Sequence, residues 1–134
     1  MIFSAALPAP NVASVLAAVD IIDNEPQRVE QLWKNADYMR TKLNKLGYDT
    51  GASETPIIPI IIGEQYRTGL AWAALIENGV YTNPVIPPAT PPNRSLLRTS
   101  YTATLTQDHL DQALEAFKIV GENLDLIPSA ETVL

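Results

Sequence analysis

The sequence predicts an α+β fold: a small, mainly antiparallel, three-stranded sheet covered by helices in the order α-α-β-α-β-β-α. Three observations carry that expectation. Apolar residues recur at three- and four-residue spacing over residues 11–46 and again over residues 110–124, the period of a helix buried along one stripe. The runs Pro56–Gly63 and Ser95–Tyr101 read as strands, the first because it is rich in β-branched residues. The elements do not alternate strictly between strand and helix, so helices cover antiparallel strands rather than link parallel ones. With 134 residues and 46% apolar content, the chain is one domain by length, with enough apolar material for a core.

Residues 1–10 are short, apolar and broken by Pro8 and Pro10, and read as a hinge or connector. The folded small domain spans 11–127. Val12, Val15, Leu16, Val19 and Ile22 give a first helix one apolar face. Asn24-Glu25-Pro26-Gln27 then restarts the helix, or kinks it, with Asn24 as cap, Pro26 in the first turn and Gln27 at the capping-box position. Val29, Leu32, Trp33, Ala36, Met39, Leu43 and Leu46 continue the period to Gly47, which suits the position after a helix end. Tyr48–Thr55 reads as a polar loop. Pro59 inside the first strand puts that strand at a sheet edge, or puts a bulge at 59. A helix over about 66–78 closes at Asn78-Gly79, and Val80–Asn83 is a short strand. Pro84 to Pro92 holds five of the eleven prolines. Proline lacks the N–H donor and fixes φ, so this stretch is expected to be a stiff, extended loop. After the strand at 95–101, Thr106 caps the last helix, with Asp108 in its first turn and Leu110, Ala113, Leu114, Phe117, Val120 and Leu124 on one stripe. Residues 128–134 are read as a loose tail.

Composition excludes several functions. The net charge is −6 and the nine basic residues form no stripe, which argues against nucleic acid as a partner. With no cysteine and one histidine, neither a disulfide framework nor a Cys- or His-rich metal site is available. The N-terminus lacks the basic and long apolar regions of a secretory signal, and no stretch approaches the ~18 apolar residues of a membrane span. The expected location is cytoplasmic. No Gly-rich phosphate loop and no nucleophile–base arrangement is present, so no catalytic residue is assigned. His109 reads as an exposed helix-start histidine, and Asp20/Asp23 and Glu25/Glu30 read as solvated faces. Lys34, Lys42, Lys45 and Lys118 lie among other charges on helices, not where burial would activate an amine. Arg98 stands apart, and two readings of it stay open. It is either an exposed strand arginine paired with a carboxylate, or a half-buried guanidinium that holds an anion in its planar fork.

Four segments, in order, carry a resemblance to a known family. They are Phe3-Ser4-Ala5-Ala6-Leu7-Pro8, Ser53-Glu54-Thr55-Pro56-Ile57-Ile58-Pro59-Ile60, Gly79 through the Pro-Ala-Thr-Pro run ending at Pro91, and Leu96-Leu97-Arg98-Thr99-Ser100. Together they make residues 3–127 resemble the C-terminal small domain of the α-oxoamine synthases. These are fold-type-I acyltransferases of aminotransferase class I/II that use pyridoxal phosphate (PLP). The loop and the arginine strand lean toward serine-palmitoyltransferase-like members.

The resemblance implies a condensation of an amino acid with an acyl-CoA thioester, PLP being the electron sink. It implies that Arg98 binds the substrate carboxylate, that Thr90 sits on the loop lining the substrate's path, and that Ser4 lies in the hinge that approaches the cofactor phosphate of the neighbouring subunit. Ala6 stands where relatives often have serine, Leu105 where many have histidine, and Ile86 where some have a second arginine. The family's PLP lysine belongs to a large domain that precedes the hinge, and nothing in these residues replaces it. The chain is therefore expected to be inactive alone, to need a large PLP-binding domain or a homologous subunit as partner, and to oligomerise through an exposed apolar N-terminal helix. The alternative is a non-catalytic interaction or regulatory module that docks on a PLP-enzyme relative. A third possibility is a free-standing ligand binder that uses Arg98 for a carboxylate.

Overall fold

The computed structural model describes residues 6–128. Its elements are α1 (Ala9–Asn24), α2 (Pro26–Leu46), β1 (Ile57–Gly63), α3 (Gln65–Glu77), β2 (Asn83–Val85), β3 (Ser95–Ser100) and α4 (Gln107–Asn123). The order is the one the sequence predicts, and the three strands form one antiparallel sheet, β1-β3-β2. Residues 1–5 of the connector and 129–134 of the tail lie outside the described residues.

The first two helices are separate. Pro26 disfavours helical backbone at Glu25, which sits at φ −126° and ψ 61° between them. Asn24 does not cap α2. Its Nδ2 donates instead to the Asp20 carbonyl, 2.7 Å away in the last turn of α1, and α2 starts with no side-chain cap. Proline at the first helical position removes one of the N–H groups that a cap would serve. Arg28 Nε donates to Glu25 Oε2 at 2.6 Å across the junction.

Both α2 and α3 end on a left-handed glycine. Gly47 (φ +103°) lets Tyr48 N–H reach the Leu43 carbonyl at 3.1 Å. Gly79 (φ +79°) lets Val80 N–H reach the Leu75 carbonyl at 2.8 Å. This closure uses Val80 to finish a helix. The strand expected at 80–83 therefore starts only at Asn83 and runs into the proline stretch. What remains of that stretch is not extended. A turn closes Ala89 N–H onto the Ile86 carbonyl at 2.9 Å, and a second closes Arg94 N–H onto the Pro91 carbonyl at 3.2 Å. Pro59 and Pro84 both lie on edge strands, where a missing donor is tolerated. The register shift in β1 falls between Ile61 and Gly63, not at Pro59.

The sheet is covered on one face. Ile58, Ile60, Leu97 and Thr99 are buried there and meet Met39, Leu43, Leu75, Leu110, Phe117 and Val120 from the helices. Tyr48 was read into a polar loop, but it is buried. Its ring meets Phe117 edge-on at 5.7 Å and its hydroxyl donates to the Phe117 carbonyl at 2.7 Å. Burial pushes the Tyr48 phenol well above its usual pKa. Buried Asn35 ties α2 to the β3–α4 connection: its Nδ2 donates to the carbonyls of Thr102 and Leu105 at 2.9 and 3.0 Å. Thr106 caps α4 as expected. His109 completes the capping box, its Nδ1 accepting from Thr106 N–H at 3.2 Å. Helix α1 has no buried residue and touches only α2 among the described elements.

Two predictions follow from this packing. A Cβ at Gly121 would lie 2.5 Å from Tyr48 Oη and 2.8 Å from Ile127 Cδ1. Gly121→Ala should therefore cost about 1–3 kcal/mol in urea unfolding, and adding Tyr48→Phe should recover part of that loss. Strictly additive effects would contradict the contact. On the α2–α4 surface, Tyr38 Oη donates to Asp111. That bond, then one from Gln107, holds the Asp111 carboxyl below its usual range, and the same bond raises the Tyr38 phenol. The folded-state pKa of Asp111 is depressed, so the link is complete at neutral pH and is lost as pH falls through that depressed value. Tyr38→Phe should flatten the acid limb of the melting temperature plotted against pH.

Candidate functional site

Antiparallel pairing decides where Arg98 points. β3 alternates, with Ser95, Leu97 and Thr99 buried against the helices and Arg98 and Ser100 exposed on the opposite face. Pro59 of β1 and Asn83 of β2 stand directly opposite Arg98, one on each side. The same parity brings Ile57, Ile61, Leu96 and Val85 to this open face. Arg98 is thus ringed mostly by apolar side chains on the side of the sheet that carries no helix. The half-buried alternative is corrected: Arg98 is exposed. Its exposure follows from β3 being central, because one face of that strand must serve the core and Leu97 and Thr99 take it.

Among the described residues, the Arg98 guanidinium has no hydrogen bond and no ion pair; the two ion pairs join Arg28 to Glu25 and Arg40 to Asp37. The side chains directly opposite and diagonal to it on this face include no carboxylate. The exposed-arginine reading supposed a carboxylate partner, and the described residues supply none.

Neighbouring structure holds this face in place. Trp72 Nε1 donates to the Thr82 carbonyl at 3.1 Å, which pins the start of β2 to α3. Asp49 accepts from Ile61 N–H at 2.9 Å, which covers the outer edge of β1. The Ile58 carbonyl accepts from Thr99 Oγ1 at 2.8 Å, locking β3 to β1 one residue from Arg98.

The other residues singled out from sequence fall in different places. Thr90 lies in the β2–β3 loop, past the last β2–β3 pair, Val85–Leu96. Its Oγ1 is enclosed and has no hydrogen-bond partner among the described residues. No hydrogen bond joins Thr90 to Arg98. Ser4 lies outside the described residues. His109 Nδ1 is occupied in the α4 cap.

On the helix-covered face of the sheet, a cavity of about 430 Å³ is walled by Thr82, Tyr101, Leu105, Leu110 and Phe117 among others. Burial pushes the Tyr101 phenol up to about 12, so it stays protonated at neutral pH. No amine or carboxylate lines that cavity; its wall does include His109, whose Nδ1 is engaged in the α4 cap.

Lys34, Lys42, Lys45 and Lys118 all stand exposed on α2 and α4, and Lys42 Nζ lies 5.4 Å from the centre of the Tyr38 ring. None of the four lines the cavity bordered by Thr82, Tyr101 and Phe117. A Schiff-base amine needs burial or a nearby cation to be reactive. Among the described residues there is no group of three His, Asp or Glu that could hold a metal ion, and no helix is long and apolar enough to cross a membrane.

Comparison with known proteins gives a consistent picture. The family model for aminotransferase class I and II matches residues 1–117. The chain is 42% identical over 126 residues to 8-amino-7-oxononanoate synthase of Thermoanaerobacter pseudethanolicus, covering 94% of this chain and 32% of that protein. It is 43% identical over 115 residues to serine palmitoyltransferase of Sphingobacterium spiritivorum, covering 86% of this chain and 29% of that protein. The structure of Sphingomonas wittichii serine palmitoyltransferase superposes with a TM-score of 0.87 at 30% identity, over 94% of this chain and 32% of that one. The chain thus spans 32% or less of the length of each of these three proteins. A serine palmitoyltransferase with bound PLP–myriocin aldimine also superposes, with a TM-score of 0.86.

Because Arg98 is exposed and unpartnered, Arg98→Ala should leave stability within about 0.5 kcal/mol of the parent in urea unfolding. A loss of several kcal/mol would show that the arginine is structural.

Proposed function

The chain belongs to the aminotransferase class I and II family, and on that premise we propose that it is the C-terminal small domain of an α-oxoamine-synthase-like acyltransferase. In this reading the hinge is 1–10, the domain 11–127 and the tail 128–134. The domain's task is to hold the carboxylate of an amino acid that is condensed with an acyl-CoA thioester. Its similarity to relatives named for such reactions, over 29–32% of their length, supports the reading. The observation that carries it is the guanidinium of Arg98, presented on the open face of the sheet with no partner among the described residues.

An always-charged planar fork takes both oxygens of a carboxylate in parallel hydrogen bonds. Two such bonds fix the orientation of the bound amino acid as well as its position, and so decide which bond at its Cα is presented for reaction. The apolar ring around Arg98 lowers the local dielectric once the face is covered, which strengthens the pairing. In this reading Thr90, on the loop beyond β2, borders the substrate's path, and Ser4 keeps the role its resemblance to relatives implies, toward the cofactor phosphate of the neighbouring subunit.

PLP supplies the electron sink in this family, and its lysine is contributed by a large domain or a homologous subunit rather than by this chain. Taken alone, the chain is inactive. The exposed apolar face of α1 favours such a partner. Val15, Leu16 and Ile22 are 54–61% exposed, and each contributes roughly 1.5–3 kcal/mol when buried. The same exposure favours a second reading, a non-catalytic module that docks through α1 on a related subunit in the cytoplasm.

The test is a chimera in which residues 1–134 replace the matching part of Sphingobacterium spiritivorum serine palmitoyltransferase. It should condense amino acid with acyl-CoA. Arg98→Ala should raise its amino-acid KM on the order of 30-fold or more, with the acyl-CoA KM little changed. Acyltransferase activity in the chain alone, or an amino-acid KM indifferent to Arg98→Ala, would sink the proposal.

A further inference from the structure

We infer that Asn83 is a second donor of the carboxylate site, acting beside Arg98; this rests on the reading of Arg98 given above. Asn83 stands directly opposite Arg98 across the β2–β3 pair, so both side chains project onto the open face. Directly opposite residues of an antiparallel pair have Cβ atoms about 4.5–5.5 Å apart, within the span of one bound carboxylate. On the other flank Arg98 faces Pro59, which offers no polar group. Asn83 is therefore the one polar side chain directly across from the guanidinium.

Its backbone is held from both sides. The Thr82 carbonyl before it is fixed by Trp72 Nε1, and Pro84 after it has a locked φ. Its side chain is only lightly engaged. Nδ2 donates to Tyr81 Oη at 3.3 Å, a long bond to a side chain that is 75% exposed. Turning Nδ2 from that phenol to an anion exchanges a long neutral bond for a charge-assisted one. A carboxylate held bidentately by arginine still has lone pairs open, and Asn83 Nδ2 is placed to fill one. The pair then selects for a planar anion: a carboxamide would offer Asn83 an acceptor and Arg98 no charge.

The experiment is an NMR titration of the 134-residue chain, following the Arg98 Nε–H and Asn83 side-chain amide resonances. The probes are L-serine and, as a control without the carboxylate, L-serinamide. L-serine should shift both resonances with one affinity, and L-serinamide should shift neither. Asn83→Val, which removes the donor while favouring the strand, should weaken L-serine binding about tenfold as read at Arg98. Asn83→Asp should abolish it, because the new carboxylate occupies Arg98. Unchanged affinity in Asn83→Val, with Arg98 still responding, overturns the role of Asn83 and leaves that of Arg98 standing. An Arg98 resonance silent to L-serine in the parent chain overturns both.

Discussion

The register of β3 is the constraint on which the rest depends. Among the described residues it is the only strand paired on both sides, and side chains alternate along it with a period of two. Leu97 and Thr99 face the helices, which sends Arg98 to the other face. A slip of one residue would drive a guanidinium into the apolar cluster of Ile58, Ile60, Leu75 and Phe117 and expose Leu97. Burying an unpaired charge there is far more costly than any gain from alternative pairing. The same hydrophobic pattern that builds the core therefore aims the arginine.

The helical layer keeps this register and exposes its own surplus. Asn35 holds the segment that follows β3, and the Tyr48–Phe117–Gly121 contact brings α4 close to the end of α2. Helix α1 stands outside this arrangement. A helix of its length is marginal in water unless an apolar face is covered, and α1 covers none of its own. That surface and the open face of the sheet are both uncovered among the described residues, one apolar and one carrying an exposed cation. A partner that covered both would desolvate Arg98.

The chemistry is divided accordingly. The chain offers a rigid cation, hydrogen-bond donors and an apolar frame. Its amines are on exposed helix surfaces, and its buried phenols, Tyr48 and Tyr101, stay protonated at neutral pH.

The sequence by itself determined the element order, the two long helical stripes, the glycine helix ends and the Thr106 cap, and it narrowed Pro59 to a sheet edge or a bulge. All of these rest on local periodicity or on backbone preferences of one or two residues, and local physics is legible in a string. Family membership was legible for a related reason, since four short segments recur in order. Tertiary structure alone decided the exposure of Arg98, the pairing of Asn83 with it, the start of β2 at Asn83 rather than Val80, the turns within the proline loop, and the burial of Tyr48 and Asn35. It also turned Asn24 from a cap for α2 into a partner for α1, and gave His109 a place in the cap of α4. Each of these depends on which residue stands opposite which, and cross-strand register is set by packing between segments far apart in the chain.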